Sequence, residues 1–213
     1  VLSEGLREDQ LERLRQILGR MNGQIVKLGI FPQYRMADHF GEFVTPLDLA
    51  AEHLLSDTPN LFLDMTEFLE LRMVEGSSHC EEKIRSVILR DILFGAKWQY
   101  LLDSLVGEVE DRRRYFAQTK RSDSTAVNVK EHPGGLREIE LALLFRKVKN
   151  RLYDPVNLGL FDVLMEREPE LTVCLQRLKE HFIYLKRLRH LNRVLVSVDD
   201  VVRLKTAHPI VPH

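Results

Sequence analysis

Lys130-Glu131-His132-Pro133-Gly134-Gly135-Leu136-Arg137-Glu138-Ile139 is the stretch on which the reading of this chain turns. Pro-Gly-Gly interrupts whatever precedes it. After the break, Ile139, Ala142, Leu143 and Val148 recur at helical intervals, so the spacing predicts a helix over 135–151 with those residues on one face. Arg137 falls in that helix's first turn, where the partial positive charge of a helix N-terminus favours anions rather than cations. A guanidinium there suits an anion held beside the exposed N–H groups, either a phosphate or a protein carboxylate. The plainer alternative is that Arg137 points to solvent and pairs with Glu140 one turn later. His132, immediately before the break, belongs either to the same anion-receiving turn or to an ordinary surface loop.

On both sides of this turn the pattern is helical. Leu6, Leu11, Leu14, Ile17, Leu18 and Met21 predict a helix over 6–21, stopped near Gly23. Gln24 to Phe31, aliphatic and bounded by Gly23 and Pro32, is the one strand candidate. Thr45-Pro46-Leu47-Asp48 reads as a helix start with Pro at the first helical position, and Thr58-Pro59 opens another helix that stops at Gly76. Ser78 to Glu81 reads as a capping box launching a run to about Gln118, broken near Gly95, with Ile88, Trp98, Leu101 and Leu105 inward. Thr119 to Glu131 reads as a polar loop. A short helix is expected near Leu158–Met165, a long basic helix from Pro169 to about Val196, and a last short helix capped by Ser197-Val198-Asp199-Asp200. The expected class is therefore mainly α, a helical bundle preceded by a short α/β element of one or two strands.

The chain has 213 residues, with 31 basic against 32 acidic side chains. So balanced a charge gives no overall pull toward nucleic acid or a membrane surface. Cys80 and Cys174 lie far apart and form neither a disulfide framework nor a metal-ligand spacing, which suits a reducing cytoplasm. No apolar run reaches the roughly 20 residues that span a bilayer. A start at Val1 rather than Met raises the expectation of a piece of a longer protein. Charge is uneven along the chain. Residues 38–82 hold eleven carboxylates and one cation, Arg72, whereas Lys179, Lys186, Arg187, Arg189, Arg193 and Arg203 outnumber the acids in 177–205. Such blocks are solvated faces, internal partners, or a basic surface for an acidic partner.

Lys130 with Pro133-Gly134-Gly135-Leu136-Arg137-Glu138-Ile139 resembles the K..PGGLRD(I) signature of the PII-uridylyltransferase family, which is grouped with the glutamine-synthetase adenylyltransferases. Glu138 stands where that family has Asp. Glu70-Leu71-Arg72-Met73-Val74-Glu75-Gly76 is similar to the family's E-x-R-x-x-x-G ending. The Arg/His-rich helix around Leu185 to Asn192 is similar to an L-x-x-x-R stretch that in the family usually continues to a His; here Asn192 lies near that place. The likeness covers roughly residues 25–195, and Gly-Gly-Leu-Arg is its specific part.

The resemblance implies the helical region that follows a nucleotidyltransferase domain. On it, 1–76 would be the C-terminal part of such an α/β domain, truncated here, and 77–213 a helical substrate-side or regulatory bundle. The whole protein would transfer UMP or AMP from a nucleoside triphosphate, with Mg²⁺, to a PII-like or other protein acceptor in nitrogen-regulating signal transduction. The chain's other partner would be its own missing nucleotidyltransferase half. The resemblance nominates Arg72, Lys130, His132, Gly134, Gly135, Arg137, Glu138 and Arg189 for nucleotide or anion contact, or for a domain interface. Arg72, Lys130 and Arg137 are expected to converge, and Glu70, Glu75 or a partner carboxylate such as Glu138 would pair with Arg72, because an isolated buried charge is costly.

The superfamily's catalytic pattern is a phosphate-holding Gly-Ser pair followed by Asp-x-Asp on a strand, which binds two metal ions. Gly76-Ser77 opens a helix instead, and no Asp-x-Asp occurs in the sequence. Lys27-Leu28-Gly29-Ile30 carries lysine where the family's Asp-hydrophobic-Gly-hydrophobic strand carries an acid. No residue here is assigned a catalytic or metal-binding role. Two readings follow: the helical portion of a nucleotidyltransferase, or a non-catalytic helical interaction or sensor module with a decayed active site.

Overall fold

Apolar residues three and four apart dominate this chain, and the protein is mainly helical. The structure, a computed structural model, describes residues 2–3, 5–28, 44–57, 61–71, 77–118, 126–153, 158–196 and 199–203. Two compact units are present, Val1–Leu101 and Leu102–His213, a later division than the 76/77 boundary expected from the sequence. Residues past 77 join the first unit because Ile88, Leu89, Ile92 and Leu93 are buried with Leu54, Met65 and Phe68 of the preceding helices.

In the first unit, strand β1 (Leu2–Ser3) pairs in parallel with β2 (Thr45–Pro46). Helix α1 spans Glu8–Lys27, with Glu8 and Asp9 in its first turn, where carboxylates favour the dipole. It runs through Gly19 and Gly23, so residues 24–27 are helix and not the expected strand; 29–31 lie outside the described residues. A helical glycine costs only about 1 kcal/mol, and a short aliphatic run does not by itself distinguish strand from helix. Helix α2 is Leu47–Leu55, and Pro46 is its extended cap residue rather than its first helical residue. Helix α3 is Leu61–Leu69, which ends before the expected stop at Gly76; Thr58, Pro59 and 72–76 lie outside the described residues.

Helix α4 is Ser78–Ile84, and Ser77, one residue before the expected cap, accepts the Cys80 N–H on its hydroxyl at 3.2 Å. A wider π-helical stretch follows over Arg85–Ala96. It closes at the expected break, where Lys97 N–H donates to the Ile92 carbonyl five residues back at 2.8 Å. In this unit His53 Nε2 meets Asp64 Oδ2 at 2.9 Å, with the two side chains 10% and 1% exposed.

Helix α5, Trp98–Gln118, leads into the second unit. Strand β3 (Ala126–Asn128) pairs antiparallel with β4 (Val201–Arg203), Val127 facing Val202. Both findings correct the sequence reading, which placed a loop over 119–131 and a helix after Asp200; residues 119–125 are outside the described residues. Val201 and Val202 are β-branched and suit a strand. Asp199 Oδ1 accepts the Val201 N–H at 3.1 Å, and the Asp200 carbonyl accepts the Val129 N–H at 2.9 Å. A pairing 75 residues away in sequence leaves no local signal.

Helices α6 (Leu136–Lys149), α7 (Leu158–Arg167) and α8 (Thr172–Leu195) complete the unit. Pro169 opens a 3₁₀ turn, Pro169–Leu171, ahead of α8 rather than α8 itself. One core gathers Leu136, Ile139, Leu143, Phe161, Phe182 and Leu185, and each such side chain contributes about 2 kcal/mol on burial. Ala142, expected inward, is exposed, while Lys147 on the same helix is buried. Among the described residues no helix is long and apolar enough to cross a membrane.

Candidate functional site

The turn at 128–138 is built by its own residues. Asn128 Oδ1 accepts the N–H groups of Lys130 and Glu131 at 3.0 and 2.9 Å, which bends the chain back from β3. Leu136 N–H then donates to the Val129 carbonyl and Arg137 N–H to the Lys130 carbonyl, both at 3.0 Å. Gly134 has φ +76°, a left-handed conformation that glycine adopts without strain. Gly135 is required for a different reason. A Cβ there would lie 2.7, 2.8 and 2.9 Å from the carbonyl oxygens of His132, Val129 and Lys130.

The anion at the helix start is the chain's own. Glu138 Oε2 accepts the Gly134 N–H at 2.8 Å, folding back over the first turn of α6. Glu138 therefore serves as an internal cap; Arg72, for which it was one foreseen partner, lies outside the described residues. Arg137 is half-buried and makes no ion pair or side-chain hydrogen bond among the described residues. The alternative partner, Glu140, receives Lys186 Nζ at 2.8 Å instead. His181 Nε2 lies 3.2 Å from the Gly134 carbonyl and fastens α8 to the turn.

The remaining candidates each have neighbours of their own. Lys130 Nζ is 3.4 Å from Glu131, so among the described residues it does not converge with Arg137 on a shared acid. His132 packs its ring 6.1 Å from that of Phe116. Arg189 grips Asp200 through Nε and Nη2 at 2.6 and 3.0 Å, and Arg193 adds a bond to the same carboxylate at 2.7 Å. Much of the basic block thus pairs inside its own unit: Lys179 meets Asp162 at 2.6 Å in the same way.

Beside the turn lies an open cleft of about 520 Å³ between α5 and the segment leading from β3. Glu108, Arg112 and Phe116 form one wall; Asn128, Glu131 and His132 form the other. Arg112 spans the two walls, donating to Glu131 Oε2 at 2.8 Å and to the Glu131 carbonyl at 3.0 Å, with its guanidinium over the Phe116 ring. Partial burial pushes the Glu131 carboxyl up, but the hydrogen bonds and charges of Arg112 and Lys130 more than reverse this and hold it below its ordinary value. Arg112 was hidden from sequence reasoning in the run Arg112-Arg113-Arg114, and Asn128 in a stretch read as loop. Only the Asn before a Pro-Gly-Gly break was a usable signal.

Asp200 shows the same balance: burial raises its carboxyl, while Arg189 and Arg193 lower it further, for a net decrease. A carboxyl depressed in the folded state contributes stability above its unfolded pKa, and the contribution is lost as pH falls through the folded one. Asp200→Asn is therefore expected to lower the urea midpoint at pH 7. The gap from wild type should close in acid, below the ordinary aspartate value of 3.8. A pH series of unfolding curves checks this, and a gap that persists unchanged at pH 2–3 would refute it.

Among the described residues no three His, Cys, Asp or Glu side chains are placed to hold a metal ion together. The resemblance places Mg²⁺ in the full-length protein, and no metal-dependent step is assigned to the residues described. Compared with known protein families, curated proteins and solved structures, the chain finds no match.

Proposed function

We propose that the unit from Leu102 is the helical, substrate-side or regulatory portion of a nucleotidyltransferase-type signalling protein. The whole protein would pass UMP or AMP from a Mg²⁺-bound nucleoside triphosphate to a protein acceptor, PII-like or other. The observation that carries the reading is the state of the signature-like turn. Gly134 takes a left-handed bend, Gly135 leaves room that a Cβ would fill, and Glu138 satisfies the helix start. Neighbouring cations Arg112, Lys130 and Arg189 all face acids, whereas Arg137 faces none among the described residues. So constrained a turn, with one uncommitted guanidinium at its rim, is suited to receive an anionic group or an acid from another domain.

Titration with UTP or ATP in the presence of Mg²⁺, followed by thermal shift and calorimetry, tests the reading. Losing a charge-assisted hydrogen bond removes about 1.5–3 kcal/mol, so Arg137→Ala should weaken binding about tenfold or more. Lys149→Ala, an exposed cation on the last turn of the same helix, should leave it unchanged. Equal effects, or no binding by the wild type, would remove Arg137 from any nucleotide site.

The alternative is a non-catalytic helical interaction or sensor module. Lys27 favours it: where the family's strand carries an acid, this chain has an exposed lysine on the last turn of a helix.

A further inference from the structure

Helix α8 carries two apolar faces on opposite sides. One side is the core face, with Leu175, Phe182 and Leu185 buried. The other bears Val173, Tyr184, Leu191, Val194 and Leu195, which are 69, 62, 54, 66 and 74% exposed. At 100° per residue these five fall within about 60° of one line, diametrically opposite the core. A surface helix ordinarily turns polar residues outward. This one alternates its outward apolar side chains with Gln176, Arg177, Glu180 and Arg187; Gln176 donates to Glu180 at 2.9 Å, and neither cation meets an acid among the described residues. From His181 to Val198 the sequence contains no carboxylate at all.

We infer that this outer face of α8 is a docking surface for an acidic amphipathic helix of another protein. The dense end, Tyr184 to Leu195, extends about 16 Å, or three turns, the length over which one helix lays an i, i+3/i+4, i+7 stripe on another. Tyr and Arg in the middle of an apolar stripe are the side chains that dominate binding energy at protein interfaces. Partner carboxylates flanking the stripe would pair with Arg177 and Arg187, steer the encounter and fix the register.

A second copy of this chain fits poorly. A parallel two-fold pair would bring Arg187 against Arg187, a like-charge contact, and an antiparallel pair is left as an outcome of the test. A membrane fits poorly too, because interfacial helices keep their cations on the polar side and Arg187 stands inside the apolar line. This face uses none of the residues nominated for nucleotide or anion contact, so it stands or falls separately from the nucleotide reading.

Two synthetic helical peptides with the same leucine spacing, one flanked by glutamates and one by lysines, supply the test by fluorescence anisotropy on the full chain. The glutamate peptide should bind about tenfold or more tightly than the lysine peptide. Leu191→Asp should abolish most of that binding, and Leu55→Asp, an exposed leucine in the first unit, should not. Arg187→Glu should invert the order of the two peptides. It alters only an exposed head group, so it keeps the test decisive should Leu191→Asp lower the melting temperature.

Binding indifferent to peptide charge, or insensitive to both variants, overturns the proposal. Leu191-dependent flotation with phosphatidylserine vesicles, without peptide preference, would reassign the face to a membrane. A concentration-dependent dimer abolished by Leu191→Asp would reassign it to a second copy.

Discussion

Gly135→Ala is expected to be among the most damaging single substitutions in the chain, destabilising the second unit by about 3 kcal/mol or more. The reason is space and not backbone conformation, since Gly135 has φ −77° and ψ −179°, which any residue adopts. The added Cβ would sit within 2.9 Å of three carbonyl oxygens, all belonging to backbone of the same turn. Nothing there is the flexible end of a side chain, so the turn itself must open. Opening it loosens the bonds from Leu136 to Val129 and from Arg137 to Lys130, and with them the entry of α6 into the core. Gly107→Ala gives the contrast, for nothing lies within 4 Å of its added Cβ, and alanine in a helix gains about 0.5–1 kcal/mol. Urea unfolding measures both, and hydrogen exchange at the Leu136 and Arg137 amides locates the first. An unchanged midpoint for Gly135→Ala would mean that the turn is not as tightly built as described.

Asp64→Ala should have a comparable effect on the first unit, about 2–4 kcal/mol, because it leaves the enclosed His53 imidazole without its carboxylate partner. Asp64→Asn keeps an oxygen in place and should lose less. Asp57, whose side chain is 98% exposed beside Lys97, provides the control: Asp57→Ala should change stability by less than about 0.5 kcal/mol. A loss at Asp64 no larger than at Asp57 would show that the buried pair is not a stabilising element.

Wherever apolar side chains repeated over three or more turns, helices were legible in advance. The regions of α5, α6 and α8 needed only a count of spacings, and the break near Gly95 came within two residues of Lys97. Starts and stops were less secure. Glycine was read as a stop at Gly23, yet an exposed helix absorbs that small penalty and continues. The β3–β4 pairing was invisible, since each three-residue strand is held by its distant partner, by Asp200 lying across from Val129 and by Asn192 bonding the Val201 carbonyl.

At the candidate turn, the Pro-Gly-Gly break and the position of Arg137 could be read directly. The identity of the anion could not. A carboxylate four residues on was on the page as Glu138, but only the left-handed bend at Gly134 aims its N–H at that side chain. Arg112 and Asp200 were missed for a similar reason: an ion pair between distant segments has no local spacing.

By itself, the sequence determined the helical class, the break at Pro133-Gly134-Gly135 and the charge balance, because these depend on periodicity, backbone freedom and composition. Tertiary structure alone decided which cations are committed. It joined Arg112 to Glu131, Lys186 to Glu140 and Arg189 to Asp200, leaving Arg137 at the rim of the turn and turning the second apolar face of α8 outward. Coulomb energy and burial depend on distances through space, and those exist only once the chain has folded.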